Sequence, residues 1–405
     1  MMHISTLKRF SHQAFIPTHP ERYMLILLII APALNFLCGT NVDLYAPSLP
    51  AIAQYFNIPE AIAQNSISAG LIGFGAACLF VGILMEYFGR RRVIITGLLL
   101  FTLTSLIAPY AFNIQMLYTI RFIQGATAAI ASIGSRALVI DEFSGKQYVV
   151  AMLYTSVTYS LGMMIGPFIG GHLQTYFDWQ ASFYAYAIIA GSLLIAFALW
   201  VNESQTQQSA PSIQATFRHY CTLIKHRPFL AGSSLVALVM LQQLVYPTFG
   251  PFILTQQLHL SAQIYGDYAL LVGLCYLAGN LFNRVLHSYY STQQLQKIGL
   301  RAILIASALQ ILIGSLAPLN IWLIMLPILA ANFSIGFVFG NTIAITLSHF
   351  PKLASLAAGL MTFIMLIGST LCISSLSLLN IHSAIAIGGI FLISASLQLL
   401  LLRAM

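Results

Sequence analysis

Charge is the property that this sequence has least of. Only 6% of its 405 residues are charged, whereas 59% are hydrophobic. A typical soluble domain is about 25% charged. The mean hydropathy of +0.87 agrees with that contrast. So few charges exclude an ordinary soluble protein and indicate an integral membrane protein.

Acidic residues are especially scarce. There are nine, most of them near ends of predicted helices or in loops, and none follows Asp267. Only Asp43 and Asp267 are plausible carboxylates at membrane depth. Asp267 stands at the outer start of a predicted helix, where a solvated acid is favoured. Asp43 lies inside the first apolar run and is therefore the candidate buried acid.

Paired cysteines and ligand-like histidine spacings are also missing. The five cysteines, Cys38, Cys78, Cys221, Cys275 and Cys372, show no paired spacing, which excludes a disulfide framework and argues against a metal site. There is no phosphate-binding loop, dinucleotide fingerprint or nucleophile constellation. We therefore expect no cofactor and no metal, and neither an enzyme nor an ATP-driven pump.

Long apolar runs dominate what is present. A transmembrane helix needs about 20 apolar residues, and the chain has twelve such runs without the alternation of a membrane barrel. Helices satisfy their own backbone in lipid, so we predict an all-α protein. The predicted spans are Tyr23–Ala46, Ser66–Phe88, Val93–Phe112, Leu117–Ile140, Tyr148–Leu173, Phe183–Val201, Phe229–Phe249, Tyr265–Leu286, Ile298–Leu316, Ile321–Leu347, Leu353–Leu379 and Ala384–Leu402.

Lysine and arginine lie on alternate predicted loops, and their distribution predicts orientation. With a cytoplasmic N-terminus, the cytoplasmic side holds nearly all of these residues and the opposite loops hold none. We therefore expect a multi-pass protein of the bacterial inner membrane with both termini cytoplasmic. The net charge of +8 then reflects topology rather than a nucleic-acid partner. Arg90, Arg91 and Arg92 would contact anionic lipid.

The longest polar stretch, Asn202 to Arg227, divides the helices into two groups of six. A faint repeat supports the division, because Gly82 precedes Glu86 with the spacing by which Gly279 precedes Asn283. Two pseudo-symmetric six-helix bundles are predicted. The predicted domains are a cytoplasmic segment 1–22, an N-terminal bundle 23–201, a cytoplasmic linker 202–228 and a C-terminal bundle 229–405.

The fifth predicted helix carries its own helix breakers. Gly162, Gly166 and Gly170 recur every four residues and therefore share one face, while Pro167 removes a backbone donor and favours a kink. A face without side chains lets another helix approach closely. Small-residue spacing alone indicates only helix packing.

The full string is more specific. Gly162 to Gly171, G-x-x-x-G-P-x-x-G-G, resembles the antiporter motif of the major facilitator superfamily, and "RFIQG" from Arg121 resembles its R-x-x-Q-G motif. "DLYAPSLP" from Asp43 and "YPTFGPF" from Tyr246 resemble the Bcr/CflA drug-resistance branch. The resemblance spans nearly the whole chain. It implies a 12-helix drug:proton antiporter.

The loop after the second helix departs from that pattern. The family's G-x-x-x-D-R-x-G-R-R is replaced by a string with Glu86 and Tyr87 at the D-R positions. Gly340 and Gln180 are further departures, and together they count against a standard drug specificity. The resemblance implies a gate of ion pairs at the cytoplasmic end, with fewer charged members than usual because Tyr87 replaces an arginine. Its residues would be Gly82, Glu86, Gly89, Arg90, Arg91, Arg136 and Asp141.

Asp43 and Arg121 are predicted to lie at matching depth on the first and fourth helices. An ionisable residue inside the membrane is a functional candidate by default. A low dielectric favours the neutral carboxyl group and a neighbouring arginine favours the carboxylate. We therefore expect Asp43 to load and release a proton, with Arg121 biasing it. The alternative is an ion pair that only fixes the two helices.

Polar or aromatic residues inside the remaining helices are candidates for substrate contact. Each alone is more often an interhelical hydrogen-bonding group. Together they describe an amphipathic cavity with little fixed charge, suited to a bulky, mostly apolar molecule. They are Asn35, Gln124, Tyr159, Gln242, Gln243, Tyr246, Asn280 and Asn341.

These patterns predict a proton-coupled secondary transporter that works by alternating access. The resemblance favours export of drug-like molecules, with protons, a small-molecule substrate and membrane lipid as partners and a monomer as the unit. Two alternatives remain open. One is a dedicated importer or exporter of a single metabolite, such as a siderophore, and the other is a transporter-like sensor.

Overall fold

A computed structural model describes residues 20–203, 213–316, 321–350, 353–379, 381 and 383–404. Most of the predicted N-terminal segment and residues 204–212 of the predicted linker lie outside these ranges. Within them the chain is almost entirely helical and contains no strand.

Fifteen α-helices form over the described residues. The first eight are α1 (Pro20–Asp43), α2 (Leu49–Tyr55), α3 (Glu60–Cys78), α4 (Val81–Phe88), α5 (Arg90–Ile107), α6 (Ile114–Glu142), α7 (Gly145–Tyr176) and α8 (Gln180–Trp200). The other seven are α9 (Ile213–Lys225), α10 (Arg227–Phe252), α11 (Ala262–Leu286), α12 (Thr292–Leu316), α13 (Ile321–Ser348), α14 (Ala354–Ser377) and α15 (Ala384–Leu401). A π-helical turn, Ile253–Gln257, extends α10.

The predicted all-α membrane architecture is confirmed. Among the described residues, eleven helices are long and apolar enough to cross a bilayer, and a shorter apolar helix, Ile385–Leu401, accounts for the twelfth predicted span. The ends of the helices differ from the predicted ends where polar residues begin or end a helix. For example, α6 begins three residues before the predicted Leu117, because the Asn113 side chain accepts the backbone N–H of Met116 at 2.8 Å.

Two predictions about where helices form need correction. The predicted span Ser66–Phe88 is two helices, since α3 ends at Cys78 and α4 begins at Val81. The predicted polar linker contains α9, an amphipathic helix that buries Leu223 against Phe229 of α10 and Leu360 of α14. Hydropathy missed α9 because only one of its faces is apolar.

The helices pack mainly with helices from the same part of the chain. In the first part α1 contacts α6 and α7, and α3 contacts α6; in the second, α12 lies between α13 and α15, and α10 packs on α14. The two parts meet along α7 with α11 and along α3 with α14. At the second of these seams Ser374 donates a hydrogen bond to Ser68 at 2.7 Å.

The glycine face of α7 is the surface on which α1 packs. A Cβ atom at Gly162 would lie 2.6 Å from the carbonyl oxygen of Phe36, and one at Gly170 would overlap the carbonyl oxygen of Leu44. Gly171 instead faces α11, where a Cβ would overlap the carbonyl oxygen of Ala262. The helix runs on through Pro167. The motif therefore brings α7 close to two helices at once.

Candidate functional site

A cavity in the described part of the chain lies among α1, α7, α10, α11 and α13. Together with the solvent-open space at its mouth it encloses about 750 Å³. Most of its walls are apolar, and Pro167 and Pro247 contribute to them. Its polar, aromatic and sulfur-bearing lining consists of Asp43, Ser160, Met163, Met164, Gln243, Tyr246, Tyr265, Tyr276 and Asn332.

Asp43 is the carboxylate of this cavity. It is the last residue of α1 and is half-buried. Behind it, a Cβ atom at Gly166 would lie 3.4 Å from the Asp43 Cβ, so α7 packs closely against the aspartate. Among the described residues no hydrogen-bond or ion-pair partner of Asp43 is found. The carboxyl group is therefore available to a proton or to a ligand.

Arg121 is fully buried and is held away from Asp43. It donates hydrogen bonds to the backbone oxygen of Asn41 at 2.5 Å and to Gln124 Oε1 at 2.8 Å. Its guanidinium carbon lies 4.3 Å from the centre of the Tyr45 ring. These contacts fix Arg121 against the end of α1, and the ion pair with Asp43, which was the alternative to a proton-coupling role, does not form here.

Helical geometry explains why matched depth did not produce a pair. Asn41 and Asp43 lie at nearly the same height on α1, but positions two residues apart point about 200° apart around the axis. Asn41 faces α6 and its arginine, whereas Asp43 faces the cavity beside α7. The sequence gives depth, but the rotation of each helix follows from packing.

The predicted cavity residues fall into two groups. Gln243 and Tyr246 line the cavity, and Tyr159 precedes the lining residue Ser160 on α7, where its backbone oxygen faces Gly39 of α1. Asn280 is half-buried and donates to the backbone oxygen of Tyr276 at 3.0 Å. These four residues lie in or near the site.

The other four predicted cavity residues are buried amides that bond to other helices, and they are not among the residues that line this cavity. A side-chain amide at membrane depth finds a partner on a neighbouring helix. The bonds are Asn35 to Ser135 at 3.1 Å, Gln124 to Ser105 at 2.9 Å, Gln242 to Ser394 at 2.8 Å and Asn341 to Asn283 at 3.0 Å.

Sequence reasoning missed Tyr265, Tyr276 and Asn332. The Tyr265 ring stacks on Tyr246 with centroids 5.1 Å apart and an interplanar angle of 10°. Gly266 and Gly273, seven residues apart on α11, could have revealed this face. A Cβ at either position would crowd α7, so these glycines turn one side of α11 toward the cavity helix.

A polar network joins α5, α6 and α8 at the end of the molecule that carries Arg90 to Arg92. Arg90 forms an ion pair with Asp141 and donates to the backbone oxygen of Ala137 at 2.5 Å. Gly89, with φ of +89°, provides the left-handed turn before α5. The predicted gate residues Gly89, Arg90 and Asp141 are thus brought together.

The remaining predicted gate residues do not join the cluster of Gly89, Arg90 and Asp141 in the same way. Arg91 donates through Nε to the backbone oxygen of Val201 at 2.7 Å. Glu86 is exposed but has an interaction partner, and a Cβ at Gly82 would meet nothing within 4 Å. Asp141 forms its ion pair with Arg90, and over the described residues no ion pair of Arg136 is found.

Glu203 is a member of this network that the sequence did not single out. Its two carboxylate oxygens accept the backbone N–H groups of Arg90 at 2.9 Å and Arg91 at 3.1 Å. A carboxylate at a helix N-terminus satisfies free donors and complements the helix dipole. Glu203 therefore ties the end of α8 to the start of α5.

We expect Glu203→Gln to lower the free energy of unfolding by about 0.5–1 kcal/mol, because the helix loses an anionic cap and one acceptor. Thermal unfolding of the purified protein in detergent would measure the change. Asp178→Asn is the matched control, since Asp178 is exposed in the turn before α8. Equal melting temperatures for both variants and the wild type would contradict the capping role.

Comparison with known proteins gives a consistent result. The family model described as Major Facilitator Superfamily matches residues 33–373. The chain is 28% identical over 392 residues to "Uncharacterized MFS-type transporter YdgK" of Bacillus subtilis, covering 94% of each chain. It is 23% identical over 355 residues to "Bicyclomycin resistance protein homolog" of Haemophilus influenzae, covering 84% of this chain and 86% of that one.

A solved structure agrees on the fold. The crystal structure of a D-xylose-proton symporter superposes with a TM-score of 0.76 at 15% identity, covering 93% of this chain and 97% of the symporter. Identity at this level establishes a shared fold and leaves the substrate open.

Proposed function

The chain belongs to the major facilitator superfamily, and on that premise we propose that it is a proton-coupled secondary transporter that exports amphipathic, drug-like molecules. One observation carries the proposal. A single carboxylate, Asp43, lines a largely apolar cavity and has no partner among the described residues. Relatives named as bicyclomycin and multidrug resistance proteins support the substrate class.

The cavity composition supports an amphipathic substrate. Tyr246, Tyr265 and Tyr276 offer aromatic surface with hydroxyl groups, and Met163 and Met164 offer adaptable apolar surface. Gln243 and Asn332 supply uncharged hydrogen-bonding groups. A lining of this kind binds bulky apolar ligands without requiring close shape complementarity. A sugar phosphate or nucleotide would need several fixed charges, which this lining lacks.

In the proposed cycle, bundles 23–201 and 229–405 rock about the cavity in the bacterial inner membrane, with both termini cytoplasmic and the monomer as the unit. Gly171 of α7 and Gly266 and Gly273 of α11 lie on the close-packed surface between the bundles, along which the bundles would move. Asp43 takes a proton when the cavity opens outward and releases it when the cavity opens inward. Proton entry supplies about 2.3 kcal/mol per charge per 100 mV of membrane potential.

Transport by the full-length protein in liposomes tests this proposal. An inward proton gradient would be imposed, and movement of lipophilic cations, neutral antibiotics and ferric siderophores would be measured. We expect several unrelated amphipathic compounds to move against their gradients, and a protonophore to stop this movement. Movement of one metabolite alone would select the dedicated carrier instead, and a substrate flux that ignores the proton gradient would contradict proton coupling.

A further inference from the structure

Helix α9 lies at the boundary of the membrane. One residue, His226, separates it from α10, which is long and apolar enough to cross a bilayer. The His226 backbone is extended, so the chain changes direction between the two helices. Leu223 of α9 belongs to an apolar cluster with Leu360 of α14, and Leu79 at the end of α3 packs against that cluster. The helix is therefore at the end of the molecule that carries Arg90 to Arg92.

The exposed surface of α9 has an apolar side. Phe217, Cys221 and Ile224 are spaced by four and three residues and therefore share one side of the helix. All three are exposed, with 68% of Phe217 and 47% of Ile224 accessible. Leu223, which packs on the protein, points about 100° away from Ile224 around the helix axis. The apolar side is thus additional to the side on which α9 packs.

A basic strip runs beside this apolar side. Arg218 and Lys225 are seven residues apart, which is about two helical turns, so they point in nearly the same direction. Both are exposed, and Arg227 at the start of α10 is a third exposed cation. Within the described ranges no ion pair of these three residues is found. The sequence has no acidic residue between Glu203 and Asp267, so this stretch of chain supplies no counterion.

Two of the arginines that were expected to contact lipid are instead bonded to the protein itself. Arg90 forms its ion pair with Asp141. Arg91 donates to the backbone oxygens of Val201 and Ala198, each at 2.7 Å. These guanidinium groups have few donors left for a phosphate group. The cations of the basic strip make no such side-chain contact with the described residues.

We propose that α9 binds an anionic phospholipid of the leaflet on the side of Arg90 to Arg92. Such a lipid joins a negatively charged headgroup to apolar chains, and α9 joins a basic strip to an apolar side about a quarter-turn away. The phosphate accepts hydrogen bonds from Arg218 and Lys225, while Phe217 and Ile224 contact the acyl chains.

The arrangement of charge favours this occupant over two others. A soluble anion would use the basic strip and leave the apolar side uncovered. A second copy of this chain would bring a second basic strip to the contact, and like charges oppose association. A membrane surface covers both sides at once, and α9 already lies at its boundary.

Native mass spectrometry of the full-length protein tests the proposal. The protein in neutral detergent would be titrated with phosphatidylglycerol or phosphatidylcholine of the same acyl chains, and bound lipids would be counted by mass. The variant Arg218→Gln/Lys225→Gln removes the basic strip. The matched control Arg284→Gln/Lys297→Gln removes two exposed cations from the adjoining ends of α11 and α12. All four positions are exposed, so neither variant disturbs a packed side chain.

We expect the wild type and the control to bind one phosphatidylglycerol about 30-fold more tightly than Arg218→Gln/Lys225→Gln binds it. Each cation near a membrane surface contributes about fivefold to the affinity for anionic lipid, and two are removed. Affinity for phosphatidylcholine should differ little among the three proteins, because its headgroup has no net charge.

Cys221 is a native probe of the apolar side. In nanodiscs that contain phosphatidylglycerol, we expect an uncharged, water-soluble maleimide to label Cys221 several-fold more slowly in the wild type than in Arg218→Gln/Lys225→Gln. Peptide masses would locate the label. Loss of two neighbouring cations disfavours the reactive thiolate, so faster labelling of the variant reports greater exposure of the thiol.

Three results overturn the inference. The first is equal affinity of the wild type and Arg218→Gln/Lys225→Gln for phosphatidylglycerol, and the second is equal labelling of Cys221 in the two proteins. The third is a wild-type dimer that Phe217→Ser dissociates, which would assign the apolar side to a second copy. Neither measurement involves transport, so the proposed function is judged separately by its own test in liposomes.

Discussion

Asp43→Asn is expected to abolish uphill transport while leaving the protein folded and able to bind substrate. Asparagine keeps the size and polarity of the side chain but cannot carry a proton across the cycle. Proton entry across 100 mV supplies about 2.3 kcal/mol, roughly a 50-fold concentration ratio. The variant should therefore fail to build any substrate gradient. Accumulation in proteoliposomes under an imposed proton gradient measures this loss.

Exchange without a gradient separates the proton role of Asp43 from a structural one. Counterflow of labelled against unlabelled substrate needs the cavity and the conformational change, but no net proton movement. We expect Asp43→Asn to retain counterflow. Asp267→Asn is the matched control, because Asp267 is exposed near the start of α11. Asp43→Asn that accumulates substrate as well as Asp267→Asn would refute the coupling role.

Gly170→Ala is expected to be the most damaging substitution on the α1-facing side of α7. The added methyl group would overlap the backbone oxygen of Leu44, and the backbone can give way only by moving α1. Leu44 directly follows Asp43, so a shift there also disturbs the site. Overpacking typically costs 1–3 kcal/mol, and two backbones in direct contact place this change at about 3 kcal/mol. Thermal unfolding and folded yield in detergent would measure it.

A graded series makes the test of this contact specific. At Gly166 a Cβ would lie 3.3 Å from the Leu44 nitrogen, so Gly166→Ala should be tolerated better than Gly170→Ala. At Gly389 in α15 a Cβ would meet nothing within 4 Å, so Gly389→Ala should stabilise the helix by about 0.5–1 kcal/mol. Equal melting temperatures for the Gly170 and Gly389 variants would show that α7 does not pack on α1 in this way.

Much of the fold could be predicted because lipid leaves few alternatives. A backbone in hydrocarbon must form its own hydrogen bonds, so each apolar run of sufficient length becomes a helix. The break after Cys78 was missed because the apolar run continues through it, and α9 was missed because it depends on tertiary contacts. In α9 those contacts bury Leu223 among residues of other helices.

The site was predicted less completely than the helices. Tyr246 and Gln243 line the cavity, yet Gln242, the neighbour of Gln243, is bonded to Ser394 of α15. Adjacent residues on a helix point about 100° apart. Two identical side chains can therefore differ completely in role. Glu203 was missed because a cap is recognised only when the helix that it caps is seen beside it.

The sequence by itself determined that the protein lies in a lipid bilayer and that its apolar runs form helices. It also determined the shortage of carboxylates and the side-chain-free face of Gly162, Gly166 and Gly170. These properties follow from composition and from the rise of about 1.5 Å per residue, which converts position into depth. Tertiary structure alone decided that Arg121 holds Asn41 while Asp43 faces the cavity. The reason is that the rotation of a helix about its axis is set by the neighbours on which it packs.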